Sequence, residues 1–275
     1  SVAPVPAPSI ALEVKRLPRT LPWYFDVWLQ MLRRKPLGTV GGVIVLLMLL
    51  LAILADVLTP YGFAETDLRA RFISSSASHW LGTDQIGRDV ATRILYGARI
   101  SLYVGFGAVA IASLIATWLG IFSAYWGGRV DLLIQRAVDA WMAFPGLLIL
   151  MSIMSLLGPS VLNITLVLGF AAGIRDSRIV RGVALSIREN TYVEGALAMG
   201  SGHARVTLVH ILPNVLPTII VVATTGLSTV ILTEASLSFL GLGVPPPYPT
   251  WGGMLSLAGL DHIYRAPWLA VWPAV

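Results

Sequence analysis

A lone carboxylate, Glu234, stands inside the apolar run Leu216–Leu242. At the rise of an α-helix it lies roughly 12 Å from the far end of that run. A carboxylate turned toward lipid at such a depth is costly, so Glu234 is expected to face protein or a water-filled path. Two roles stay open. With Ser238 it lines or gates a path, or hydrogen bonds through Thr233, Ser236 or Ser238 hold it against a neighbouring helix. A second grouping runs from Thr191 to Gly200. Thr191 and Glu194 have the spacing of a capping box, and Gly200 supplies a left-handed stop two turns on. Pro213 and Pro217 then restart the chain. The pattern gives a short, rigid helix whose Gly195 and Ala196 allow close approach to a groove on another protein. Gly195 weakens that helix by roughly 1 kcal/mol relative to Ala.

Other chemistries lack their residues. The chain has no cysteine, which removes disulfides, thiolate metal sites and cysteine nucleophiles. His79, His203, His210 and His262 fall in separate segments, so no metal cluster is expected. Neither lysine, Lys15 nor Lys35, follows a glycine as a Walker A loop requires, and ATP hydrolysis is expected elsewhere. A hydrolase embedded in the spans would need paired catalytic groups, and Glu234 stands alone. A secondary transporter would need coupling-ion ligands at mid-depth and often an inverted repeat, and neither is legible.

What must position these residues is a set of membrane helices. Of 275 residues 56% are hydrophobic and 12% charged, and mean hydropathy is +0.79. An average soluble domain is about a quarter charged, so an all-α polytopic membrane protein is expected. Spans of about twenty apolar residues are read at Gly38–Leu58, Ile100–Trp126, Ala137–Leu157 with a kink at Pro145-Gly146, Pro159–Ile174 and Leu216–Leu242. Ala266–Val275 is expected to be the first half of a sixth, continuing past the sequence given. Thirteen of the nineteen Lys and Arg fall before the first span, between the second and third, and between the fourth and fifth. That asymmetry places those segments and the N-terminus in the cytoplasm. Phe25, Trp28, Leu29 and Leu32 share one face of a helix expected to lie along the headgroups within 1–37. The organisation is then 1–37 cytoplasmic, 38–59 first span, 60–99 an external subdomain, and 100–275 the main membrane domain with a cytoplasmic loop near 190–213.

The loop resembles the "EAA" loop of ATP-binding-cassette (ABC) importer permeases. That pattern is Glu-Ala-Ala, three residues, Gly, nine residues, Ile, any residue, Leu-Pro. This chain has Glu194, Gly195, Ala196, Gly200, Leu212 and Pro213 at those spacings, with Gly195 replacing Ala and His210 replacing Ile. His210-Ile-Leu-Pro-Asn214 is the form seen in peptide-type permeases. The segments His79-Trp-Leu-Gly-Thr-Asp84, Gly87-Arg-Asp-Val90, Tyr96-Gly-Ala-Arg-Ile-Ser-Leu102, Glu234–Gly243 and Pro245–Gly252 are similar to the second, C-type permease of dipeptide, oligopeptide and nickel importers. The resemblance implies the type I importer fold in a bacterial or archaeal plasma membrane. It implies a heterodimer with a homologous permease, two ATPase subunits that hold ATP and Mg²⁺, and an extracytoplasmic binding protein. No cofactor and no nucleic acid is expected on this chain. Tyr192, Val193, Glu194, Gly195, Ala196, Met199, Gly200 and Arg205 are then expected to meet the ATPase. Leu81, Gly82, Thr83, Asp84, Gly87, Arg88 and Asp89 either dock the binding protein and close the outer mouth, or form glycine turns with Asp84 capping the next helix. Substrate would be peptide or, alternatively, nickel or another small solute.

Overall fold

A computed structural model describes residues 36–256, 262 and 264–274. The headgroup helix expected at Phe25–Leu32 lies outside the described residues. The chain divides into two compact units, Ser1–Leu47 and Met48–Val275. In the first, the described residues begin α1 (Pro36–Ile53), an apolar helix with Leu37, Val40, Ile44 and Leu47 on its surface.

In the second unit, α2 (Ala55–Leu58) leads to an external segment and then to α3 (Val90–Trp126). α3 starts where the Asp89 carboxylate accepts hydrogen bonds from the Thr92 amide and hydroxyl, and it ends at Gly127. Its 37 residues span about 55 Å, well beyond the thickness of a bilayer core. α4 (Gly128–Met142) and α5 (Gly146–Leu157) meet at an 87° bend. The expected kink is therefore a full break. Pro145 lacks an amide proton and disfavours helical geometry at Phe144. α6 (Val161–Arg188) starts at the Ser160 cap, and the Asn163 side-chain amide donates to the closing carbonyls of Leu157 and Gly158. α7 (Thr191–Ala198) follows after two residues.

α8 (His203–Phe239) is longer than expected at its start. It includes a π-helical segment, Val206–Ile211, and carries both Pro213 and Pro217 within it rather than beginning at them. α9 (Trp251–Met254) and α10 (Trp268–Ala274) close the described chain. Among the described residues the only β-type pairing is an isolated bridge between Thr83 and Asp89.

α3 and α6 form the centre. Small residues recur every fourth position along α3 at Ala108, Ala112, Ala116, Gly120 and Ala124, and Gly169 and Gly173 answer them on α6. A Cβ at Gly169 would lie 2.8 Å from the Ala108 carbonyl, and one at Gly173 would lie 3.0 Å from that of Ala112. At the next contact, a Cβ on Gly120 would lie 2.9 Å from the Arg181 amide. Residue numbers rise together along the seam, so the two helices run parallel. α8 runs antiparallel to α3, with Ile231 and Leu227 against Gly105 and Glu234 beside Ser101.

By length and apolarity α1, α3 and α8 can each cross a membrane, and α4 with α5 makes a fourth if counted as one span. α6 is long enough at 28 residues but carries Arg175, Asp176, Arg178 and Arg181 beyond Ile174, where its span was expected to end. α10, in the stretch expected to begin a sixth span, is 7 residues. The chain is a polytopic all-α membrane protein.

The seam yields a direct test. Gly173→Val should destabilise the protein by about 1–3 kcal/mol through overpacking. Gly182→Val on the same helix, where nothing lies within 4 Å, should cost well under that. Thermal unfolding in detergent distinguishes them, and equal losses would contradict the close seam.

Candidate coupling surface and solute cleft

The α7 helix sits on the end of the bundle where α3 stops and α8 starts. Its cap differs from expectation. Asn190, not Thr191, is the N-cap, and the Val193 and Glu194 amides donate to its carbonyl. Thr191 is already helical, so the capping box does not form. The Asn190 side chain instead donates to the carbonyls of Ser186 and Ile187 at the end of α6. The stop at Gly200 is as read from the sequence. Its φ is +85°, the Ser201 amide donates to the Ala196 carbonyl and the Gly200 amide to that of Leu197, a Schellman pattern.

The eight residues expected at the coupling surface separate into two sets. Val193 and Ala196 are buried in an apolar cluster with Ala116, Ala124, Val180, Ala184, Ile187, Val206 and Val215. They anchor α7 to α3, α6 and α8 and present nothing outward, which corrects their assignment as contact residues. Tyr192, Glu194, Met199, Gly200 and Arg205 are exposed, Met199 to 83%, and Gly195 is half-buried. The motif thus supplies both an inner and an outer face.

Polar bonds brace the same end. The Arg181 Nε donates to the Asp131 Oδ1 at 2.6 Å and its Nη2 to the Oδ2 at 2.5 Å, and the Ser123 hydroxyl also donates to Asp131. Arg178 pairs with Asp139, and Arg188 donates to the Ala124 carbonyl at 2.9 Å. The His203 ring lies 2.6 Å from the Tyr125 hydroxyl. Arg178, Arg181 and Arg188, legible only as topology anchors, are also the fastenings of α6 to α3 and α4. Nothing in the sequence pairs Asp131 with an arginine fifty positions away.

At the other end, the Leu81–Asp89 motif is consumed by its own fold. The Thr83 hydroxyl donates to the Ala70 carbonyl and accepts from the Ile73 amide. Asp84 accepts from the Ile86 and Arg88 amides and pairs with the Arg88 guanidinium at 2.6 Å. Asp89, not Asp84, caps the following helix, and its second oxygen lies 3.0 Å from the His79 ring. Thr83, Asp84 and Asp89 are buried, so they hold the turn rather than offer a docking surface. Leu81 is half-buried, and Gly82 and Gly87 take φ of +82° and +80°. Trp80, beside the motif, is 70% exposed. Arg99 donates to the Ala52 and Ile53 carbonyls at the end of α1 and pairs with Asp56 at 2.9 Å, a cation placed at a helix C-terminus.

Glu234 is 1% exposed. The Ser238 hydroxyl donates to it at 2.6 Å, and Ser101 on α3 reaches its other oxygen at 3.5 Å. Both residues are buried within this chain, and the Glu234 carboxylate pins α8 to α3 through Ser101. A cleft of about 450 Å³ opens instead on another face of α8, lined by Thr229, Thr233 and Ser236 with Trp141, Phe144 and Arg175. The sequence signal for it was a row of hydroxyls at helical spacing in an apolar run, overshadowed by the single charge.

Membrane helices packed through small residues thus carry a short helix mounted across one end. The whole-chain comparisons name the family. Residues 116–274 match the binding-protein-dependent transport system inner membrane component, and residues 22–75 match the N-terminal transmembrane domain of oligopeptide transport permease C. The chain is 43% identical over 242 residues to a dipeptide transport system permease protein of Alkalihalophilus pseudofirmus, covering 88% of this chain and 79% of that one. It is 37% identical over 256 residues to a glutathione transport system permease protein of Pectobacterium atrosepticum, covering 92% and 84%. It is 37% identical over 247 residues to a probable D,D-dipeptide transport system permease protein of Escherichia coli, covering 90% and 82%. The chain belongs to the family of binding-protein-dependent transport system inner membrane components and is a C-type permease subunit of the ABC importer class.

Replacing Glu234 with Ala should strand the Ser101 and Ser238 hydroxyls and cost about 1–3 kcal/mol. Ser236→Ala, whose hydroxyl bonds only its own helix, should stay within about 0.5 kcal/mol. Thermal stability of the purified subunit checks both, and an unchanged Glu234→Ala protein would refute the pin.

Proposed function

We propose that this subunit forms half of the translocation path of an ATP-driven importer of peptides, paired with a homologous permease. Two cytoplasmic ATPases hold the ATP and Mg²⁺, and an extracytoplasmic protein delivers the solute. Support for the substrate comes from the relatives, which are named for dipeptides, D,D-dipeptides and glutathione. Support for a cytoplasmic N-terminus and a cytoplasmic α7 comes from the excess of Lys and Arg in those segments.

The observation that carries the reading is the two-sided α7. Its exposed Tyr192, Glu194 and Met199 are available to an ATPase groove, with Arg205 nearby. Its buried Val193 and Ala196 meet three bundle helices at once. Closure of the ATPases pushes α7, whose buried face bears on α3, α6 and α8, and the Arg181–Asp131 ion pair and the Arg188 hydrogen bond to the Ala124 carbonyl pass that push from α6 to α4 and α3 as a rigid-body shift. Side chains packed at crystal-like density transmit such a displacement rather than absorb it. The solute passes along the α8 cleft, between this chain and its sister.

Glu194→Lys in the complete reconstituted transporter should leave membrane insertion and ATP hydrolysis in place while peptide uptake falls by about tenfold, the effect of one lost interaction of about 1.4 kcal/mol. Radiolabelled uptake and phosphate release, measured on the same vesicles, read the two separately. Unchanged uptake would remove the coupling role of α7.

A further inference from the structure

The cleft on α8 contains a charge that membrane anchoring does not explain. Arg175 lies on α6 between residues that pack against two membrane-crossing helices. Gly173 meets Ile115 of α3, and the Asp176 carboxylate lies 4.0 Å from the Cβ position of Gly226 on α8. Ionisable groups between such segments face the bundle interior or a water-filled cavity and mark solute paths, so the pair is read as a functional site by default. The two partners face differently. Asp176 is buried toward α3 and α8, whereas the Arg175 side chain is 47% exposed and lines the cleft. Only the Arg175 Nε is engaged, donating to the Asp176 Oδ1 at 3.2 Å. Its two terminal nitrogens have no partner among the described residues.

The surrounding groups complete a chemical profile. The hydroxyl of Thr233 donates to the Thr229 carbonyl and that of Ser236 to the Leu232 carbonyl, which leaves their oxygens as acceptors. Trp141 and Phe144 supply an aromatic wall. A second groove, of about 870 Å³ along Trp118, Phe122 and Trp126, is lined by apolar side chains with a few hydroxyls and no charge, and suits hydrocarbon. The guanidinium cleft is the one that suits a zwitterion.

We propose that Arg175 is the carboxylate-recognising group of the path, its terminal nitrogens taking the C-terminal carboxylate of a passing peptide in a forked pair. A planar guanidinium matches a carboxylate in this way and a lysine ammonium does not. The peptide's N–H groups meet the α8 hydroxyl oxygens. This rests on the peptide-import reading. Because α6 runs into α7 after two residues, displacement of α7 also moves Arg175 relative to α8, so the carboxylate is gripped and released with the ATPase cycle.

The test uses the complete transporter with Thr229→Cys, on the cleft wall opposite, in a chain that otherwise lacks cysteine. The partner subunits are prepared with their cysteines replaced by serine, so that the introduced thiol is the one labelled. The rate of labelling by a methanethiosulfonate reagent is followed with dialanine, dialanine amide, or alanyl-aspartate α-amide, which carries only a side-chain carboxylate. Dialanine should slow labelling and its amide should not, and Arg175→Gln should abolish the protection. Protection by the aspartate α-amide equal to that by dialanine assigns the site to any carboxylate and overturns the C-terminal assignment. In parallel, Arg175→Gln should lower dialanine uptake by about tenfold or more with ATP hydrolysis retained, and Arg175→Lys should restore only part. Equal protection by dialanine and its amide overturns the proposal, as does uptake within twofold in Arg175→Gln. Failure of the unsubstituted complex to import any peptide overturns the peptide reading itself and is seen before any variant is made.

Discussion

Backbones can approach within van der Waals contact in a membrane only where side chains are absent or nearly so. The α3–α6 seam is built on that constraint. Lipid tails are as apolar as leucine, so burying large side chains gains little, and close packing must supply the attraction. Ala108, Ala112 and Ala116 on one helix and Gly169 and Gly173 on the other meet that condition over about two turns. Everything else is placed relative to this pair. α8 packs on it in the opposite sense, α5 lies against it through Leu150 and Met154, and α7 closes one end.

The polar groups are distributed to suit the same environment. Charges cluster at the two ends of the bundle, where they tie helices together without crossing the apolar middle. Arg99 covers the last carbonyls of α1 at one end, and Arg181 and Arg188 hold α6 at the other. Glu234 is the exception that enters the bundle, and it is wrapped by hydroxyls and its neighbours' apolar side chains. Arg175 is the exception that opens onto a cleft. A buried charge fixes structure, and an exposed one remains available to a solute.

Much of this was legible in the sequence because its signals are local. The apolar runs gave the helices, Gly200 gave the end of α7, and the interval from Glu194 to Leu212-Pro213 pointed to the coupling loop. The losses came from contacts that local pattern does not encode. Asp131 and Arg181 lie fifty positions apart, so their bond follows from the parallel seam alone. The fourth span was read only to Ile174, where charges begin, yet arginine is a good helix former and its partners on α3 and α4 sustain the helix beyond it to Arg188. Thr191 and Asp84 were each assigned a capping role one element of geometry away from the true caps, Asn190 and Asp89. Within Val193–Ala196, composition gave a small-residue helix but not which face turned inward.

The π-helical turn near the start of α8 has an azimuthal effect on everything after it. Such a turn accommodates one residue more than an α-helical one, and each residue corresponds to about 100° about the axis. The hydroxyl row at Thr229, Thr233 and Ser236 therefore points where it does because Val206–Ile211 is wide. Tightening that loop of backbone by a single position would swing the row a quarter-circle away, some twenty residues from where the change was made.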